Sequence, residues 1–413
     1  MSKEKNVLII GKVWPEPNSS AAGTRMMQLI HYFIDQAYTI TFLSHAKQTE
    51  FQADLASLNV NCASIEVNSG KFDKLIQKMN PEMVIFDRFM TEEQFGWRVM
   101  DNCPDALRVL NTEDLHFLRE ARQKALKSGV GLDLNTYRSE LLLRELAAIH
   151  RSDISFMVSD YEVDILESTY GIPPEKVLHL PFYCETSKIV VPSYSEREDF
   201  VFIGNFWHEP NLDAIRYLKS TIWPLIKKKV PKAKLNIYGA YCSEKGFQLT
   251  NKEDRFIVHG RARSAKAVVM DSRVSLAPIR FGAGIKGKLL ESMAVGTPSI
   301  TMTNGAEGIA DNDVWPGQVA DDPLKFANAA VELYLNEQAW DESQKKGEAI
   351  LNDKFSRNKF ETSLSNALQE LSDPESHRNN SITGLILQRE SQQASRYMSI
   401  WIEEKKKNGH GGS

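Results

Sequence analysis

Short apolar runs alternate with longer amphipathic stretches along most of this chain. Residues 7–10 are a continuous apolar run, the pattern of a strand buried on both faces, and the mainly apolar segments 39–43, 83–86, 107–110 and 153–158 also read as strands. Between them, residues 23–37, 72–79, 115–127 and 136–150 repeat apolar positions at three- and four-residue steps, which predicts helices. A polar break with Pro192 follows at 183–199 and reads as a linker. The alternation then resumes. Strands are expected at 200–203, 234–238, 256–258, 274–279 and 298–302, and helices at 212–218, 222–229, 265–270 and 288–295. Such order predicts an α/β fold with two parallel sheets, each covered by helices on both faces. The expected units are 1–185, 195–372 and a helical tail at 373–408, with Tyr397, Met398, Ile400 and Trp401 as the apolar positions of its last helix.

Composition narrows the function classes. The chain has 413 residues, enough for two or three sizeable cores. Its formal net charge of −4 argues against a nucleic-acid partner. No apolar run approaches the ~20 residues of a membrane helix, and the charged start at Lys3, Glu4 and Lys5 does not read as a signal peptide. Four scattered cysteines without a C-x-x-C pair are expected to be reduced thiols in the cytoplasm.

Most of the chemistry is concentrated in residues 274–308. A strand runs into Arg280 and then a glycine-rich loop, 282–287, which opens a helix carrying Lys286 and Lys288 at its entry. A helix N-terminus already favours an anion, and two lysines there are unfavourable unless an anion is bound. Gly282, Gly284 and Gly287 satisfy G-x-G-x-x-G, with Glu307 about 20 residues on, as in a dinucleotide fingerprint. That fingerprint belongs in a first βαβ unit, however, whereas this one lies past mid-chain. A phosphate-binding P-loop fails at Leu289, where a Ser or Thr must hold magnesium. A plain tight turn would leave the lysines unexplained.

The run from Phe281 to Pro298, followed by 304–308, resembles the donor-site signature of GT-B glycosyltransferases, and more narrowly of group 1 (family 4). The resemblance implies two Rossmann-like domains facing across a cleft, with a C-terminal helix crossing back to the first. It assigns Lys288 to the donor diphosphate and Glu291 to the ribose hydroxyls. It adds Gly282, Gly284, Lys286 and Glu307, and Gly204 and Asn205 from a "strand, Gly, then Pro-Asn" entry at 201–211. Many relatives carry a sugar-contacting glutamate where this chain has Ala283, as in a variant branch with a G-x-G-x-K loop. The loop at 205–211 lacks the family's usual Arg and Lys, so Arg280, Arg261 or Lys286 must supply that charge.

On the first half, the resemblance assigns the loop before the first helix, with Gly23, Thr24 and Arg25, to the acceptor side. It calls for a His or Asp near the reacting carbon after the strand at 107–110, where Asp114 and His116 are both candidates. Asp311-Asn312-Asp313 matches a metal-binding D-x-D pattern but lies in a polar loop, and no His/Cys cluster suggests zinc. The implied reaction is metal-free transfer from a nucleotide-diphosphate sugar to a glycan, lipid-linked or protein hydroxyl, with retention and no further cofactor. Cell-envelope polysaccharide assembly is the family's usual setting. A nucleotide-sugar epimerase of the same fold and a non-catalytic sugar- or nucleotide-binding subunit remain open. For the tail, the alternative to a crossing helix is a peripheral membrane anchor, since Lys405–407 follow its apolar positions.

Overall fold

A computed structural model describes residues 5–184, 190–390 and 393–409. Part of the expected linker and the last residues lie outside this range. The first sheet has seven parallel strands: β1 (Asn6–Gly11), β2 (Thr39–Ser44), β3 (Asn61–Ser64), β4 (Met83–Asp87), β5 (Leu107–Asn111), β6 (Ile154–Met157) and β7 (Val177–His179). Their order is β3-β2-β1-β4-β5-β6-β7. The second sheet has six: β8 (Glu198–Ile203), β9 (Leu235–Tyr238), β10 (Phe256–Gly260), β11 (Ser272–Ala277), β12 (Ser299–Thr301) and β13 (Gly317–Val319), in the order β10-β9-β8-β11-β12-β13. The second order repeats the first, strand for strand, over six positions. In each sheet the order reverses between the first and fourth strands, and the crevice outside that point is where open α/β sheets take ligands.

Alternation along β1 shows how the first core is divided. Leu8 and Ile10 pack on one face of the sheet, and Val7 and Ile9 on the other. The second face is completed from far along the chain, because helix Arg357–Glu370 lays Phe360, Leu364 and Ala367 into it, followed by Leu371. The chain thus crosses back before the expected tail start at 373. The reason is hydrophobic: these side chains fill the layer beside Tyr32 and Phe33.

The tail is seated on the first half by polar contacts. Arg378 grips Asp153 with two nitrogens (2.8 and 2.6 Å) and also reaches the carbonyls of Pro104 and Ala106. In helix Gln393–Gly409, Ser399 accepts from buried Arg98 at 3.0 Å and Glu403 lies 3.7 Å from the same arginine. Tyr397, Met398, Ile400 and Trp401 face solvent, not the core. Among the described residues, no helix is long and apolar enough to cross a membrane.

Candidate functional site

The facing strand ends enclose a cleft of about 1000 Å³. On the second-sheet side, β11 leads through the glycine loop into helix Gly287–Ala294. No side chain caps that helix, so its first-turn N–H groups are open to an anion. Lys286, Lys288 and Glu291 line the cleft. Lys288 Nζ donates to Asn211 Oδ1 at 2.6 Å and lies 4.2 Å above the Phe202 ring. Burial pushes its ammonium down to about 7, only partly offset by Glu291. Burial likewise lowers Lys286 to about 8, against the pull of Glu307. Burial thus weakens the preference of both ammonium groups for the charged form, which an incoming anion would restore. Glu291 is raised by burial, opposed by Lys266 and Lys288.

Gly204 and Asn205 end β8 on the same wall. A Cβ on Gly204 would lie 2.7 Å from Lys288 Nζ, so this glycine makes room for the ammonium. Asn205 turns inward on its own loop, accepting from Trp207 N–H at 2.8 Å through Oδ1. Arg261 lines the cleft with its guanidinium 3.4 Å from the Phe51 ring, and its buried Nη1 lacks a partner. It fits the missing charge of the 205–211 loop better than Arg280 does. Arg280 is held by Asp213 through two bonds (2.9 and 2.5 Å) and does not line the cleft.

The glycine loop is clamped from the other half. Arg122 donates to the Gly282 carbonyl at 2.8 Å and makes a two-nitrogen pair with Glu307 (2.7 and 2.8 Å). Glu307 therefore joins the two halves and does not line the cleft. Gly284 N–H donates to Glu162 Oε1 at 2.7 Å, and the same oxygen accepts from Leu115 N–H at 3.2 Å. One carboxylate, absent from the candidates above, thus ties the donor loop to the start of the Asp114–His116 segment.

On the first-sheet side, Asp114 and His116 both line the cleft after β5. Burial opposes ionisation of Asp114, but Arg119, His116, His208 and Arg88 outweigh it and hold the carboxyl well below its usual range. His116 Nδ1 lies 3.1 Å from Glu145 Oε1 and 3.2 Å from the Asp114 carbonyl. Both partners only accept, so the proton sits on Nδ1 and Nε2 is left as the basic nitrogen. Glu145 also accepts from the backbone N–H of His116 (2.9 Å) and Phe117 (2.6 Å). It thereby caps the start of helix His116–Ser128.

Arg88 and Glu113 also line the cleft, and both hold left-handed backbone (φ 71° and 65°). Burial pushes the Glu113 carboxyl up to about 7, against the pull of Arg25. Arg25 itself lies beneath the cleft floor, fully buried, bonded to Asn111 Oδ1 (3.1 Å) and the Leu180 carbonyl. Thr24 lines the cleft, its hydroxyl donating to the Pro17 carbonyl at 3.0 Å. Gly23 does not face a ligand, because the Glu16 carbonyl oxygen stands 2.3 Å from where its Cβ would be. Asp311 and Asp313 lie exposed, outside the cleft lining. Among the described residues, no group of three His, Cys, Asp or Glu could hold a metal.

Comparison with known proteins agrees with this geometry. Residues 197–336 match the family described as Glycosyl transferases group 1. That segment is a group 1 glycosyltransferase domain, and the chain as a whole has the GT-B fold. The fold is shared with a sucrose-phosphate synthase from Thermosynechococcus elongatus, at 14% identity and a TM-score of 0.68 over 89% of this chain and 99% of that one. It is shared with TarM of S. aureus, described in complex with Fondaparinux, alpha-GlcNAc-glycerol and UDP (10% identity, TM-score 0.67, 88% and 99% covered). Anabaena HepE, described in complex with UDP and glucose, aligns at 11% identity with a TM-score of 0.65 over 88% and 99%. The comparison with curated proteins gives no match.

Proposed function

We propose that this glycosyltransferase moves a sugar from a nucleoside-diphosphate sugar to a hydroxyl of a glycan, lipid-linked or protein acceptor. The observation that carries the reading is the uncapped N-terminus of helix Gly287–Ala294, with Lys286 and Lys288 at its mouth. As the glycosidic bond breaks, negative charge grows on the leaving diphosphate. Lys288, Lys286, Arg261 and the helix N–H groups stabilise that charge as it develops. Glu291 accepts from the ribose hydroxyls. His116, protonated on Nδ1 by its contact with Glu145, turns Nε2 toward the acceptor hydroxyl and orients it. In a same-face, retaining transfer the departing diphosphate oxygen takes the hydroxyl proton, and no covalent enzyme intermediate is needed. The group 1 match supports that stereochemistry. Lysines and a helix terminus supply the positive charge, so no divalent ion is required in this reading. Uracil is the first base to try, because TarM and HepE are both described with UDP. Cell-envelope glycan assembly is the setting favoured by the resemblance.

Thermal stabilisation of the protein in chelator by UDP-, GDP-, ADP- and TDP-sugars tests the donor class. A shift with one nucleoside diphosphate and its sugar, abolished in Lys288→Ala, supports the reading. A shift with NAD(H) alone would falsify it. Release of free nucleoside diphosphate only when an acceptor is present separates transfer from epimerisation.

A further inference from the structure

Next in the chain to cleft-lining residues lies an aromatic stack that donor chemistry does not use. Trp207 is 73% exposed, whereas Trp14, Trp97, Trp223, Trp315 and Trp340 are buried. Its indole lies on the Tyr241 ring at 3.8 Å between centroids and 15° between planes. One face is therefore covered and the other is open to water. The stack is fixed in place. Tyr241 has left-handed backbone (φ 61°), and its hydroxyl reaches both oxygens of Glu16, at 2.8 and 2.7 Å. Phe51 meets the same ring edge-on at 6.0 Å. Glu16 and Phe51 belong to the first half, so the platform is completed only when the halves are together.

Its position is equally specific. Trp207 lies between Asn205 and His208, and Tyr241 follows Ala240, all three of them cleft-lining. Glu16 precedes Pro17 and Asn18, which line the opposite wall. The indole itself lies outside the cleft lining, while its chain neighbours Asn205 and His208 are part of it.

We propose that the open face of Trp207 is a saccharide subsite, holding a pyranose ring of the acceptor glycan next to the residue that carries the reacting hydroxyl. The inference rests on the glycosyl-transfer reading and names the acceptor class for it. A pyranose presents a flat patch of C–H groups to an aromatic face and leaves its hydroxyl edge in water. A single open indole rimmed by polar side chains suits that shape. A lipid tail would need a continuous apolar groove, and His208 and Glu209 next to the indole are polar and exposed. A rigid platform also spares the ordering entropy that a mobile side chain would lose on binding.

The test uses the full chain with Trp401→Phe, so that Trp207 is the exposed indole reporting by fluorescence, and compares it with Trp207→Ala and Trp207→Phe in that background. Maltotriose, cellotriose and triacetylchitotriose are the probes, read by saturation-transfer NMR and tryptophan emission. At least one trisaccharide should receive saturation on its ring protons and alter the emission. Affinity should fall about fivefold to tenfold in Trp207→Ala, with much of it kept in Trp207→Phe. Nucleoside-diphosphate stabilisation, measured in the same samples, should not change. Silence across the three saccharides, or binding indifferent to Trp207→Ala, overturns the subsite and leaves glycosyl transfer standing. Equal loss of nucleotide binding in Trp207→Ala makes the stack a base platform and also overturns it. If no nucleoside diphosphate stabilises the parent protein, the donor reading has failed, independently of the subsite.

Discussion

The two sheets share one strand order but arm the cleft in different ways. The second delivers its two lysines and its helix terminus in one continuous run, from Gly282 to Glu291, shortly after β11. The first gathers Arg88, Glu113, Asp114 and His116 from the ends of two strands, and fixes them with Glu145 and Glu162 from elsewhere in the chain. A diphosphate has the same shape in every donor, so backbone and a short motif can recognise it. An acceptor varies, so its side is assembled from scattered side chains on the same scaffold.

If the comparison holds, variants on the two sides should fail differently. Lys288→Ala should lower kcat/KM about 10²- to 10³-fold and abolish nucleotide stabilisation, with the circular-dichroism spectrum unchanged. His116→Ala should lower transfer about 10²-fold yet leave nucleotide stabilisation intact. If it loses both together, the division between the walls is wrong. Gly287→Ala probes their contact, because the added Cβ would sit 2.6 Å from that of Ala21. Overpacking of about 1–3 kcal/mol there should cut transfer roughly tenfold, while small-angle scattering shows a more open molecule.

The pH dependence sharpens the donor side. Burial holds Lys288 near 7 in the free protein, so it is charged below that pH and largely neutral above it. A bound diphosphate favours the charged form. Donor KM should therefore rise as pH increases through 7, by up to about tenfold per unit, and flatten in Lys288→Ala. A profile unchanged by that substitution would assign the titration to another group. The smallest effect is expected from Arg122→Ala, which removes the clamp on Gly282 and Glu307. A few-fold rise in donor KM is expected, from bonds worth about 1.5–3 kcal/mol shared with closure. A larger loss in thermal stability than in KM would make the pair merely structural.

Legibility in the sequence follows the same division. Central strands such as β1, β4 and β11 announce themselves as apolar runs because both faces are covered. The edge strands β3, β7 and β13 carry no such run: β3 reads Asn-Cys-Ala-Ser and is exposed throughout. Helix Phe89–Asn102 is equally silent, since Glu92 and Arg98 are buried on it as ion-pair partners, which breaks the apolar period. Lys288 and Glu291 could be chosen from a contiguous motif. Arg280, Glu307 and Gly23 share the right neighbourhood in sequence, but their side-chain directions depend on Asp213, Arg122 and Glu16, partners the sequence does not identify. Glu145 and Glu162 could not have been found this way, because each acts on backbone more than 25 residues distant.

Helix Arg357–Glu370 carries a consequence for biosynthesis. The half that is translated first lacks Phe360, Leu364, Ala367 and the Arg378 grip on Asp153 until the second half has also been made. The half encoded second holds its own core, from Phe200 to Phe355, before that point is reached. The amino-terminal half is therefore begun first and finished last. A nascent chain stalled near residue 356 would expose an unfinished apolar layer beside a completed donor lobe, a surface for chaperones to cover until helix Arg357–Glu370 emerges.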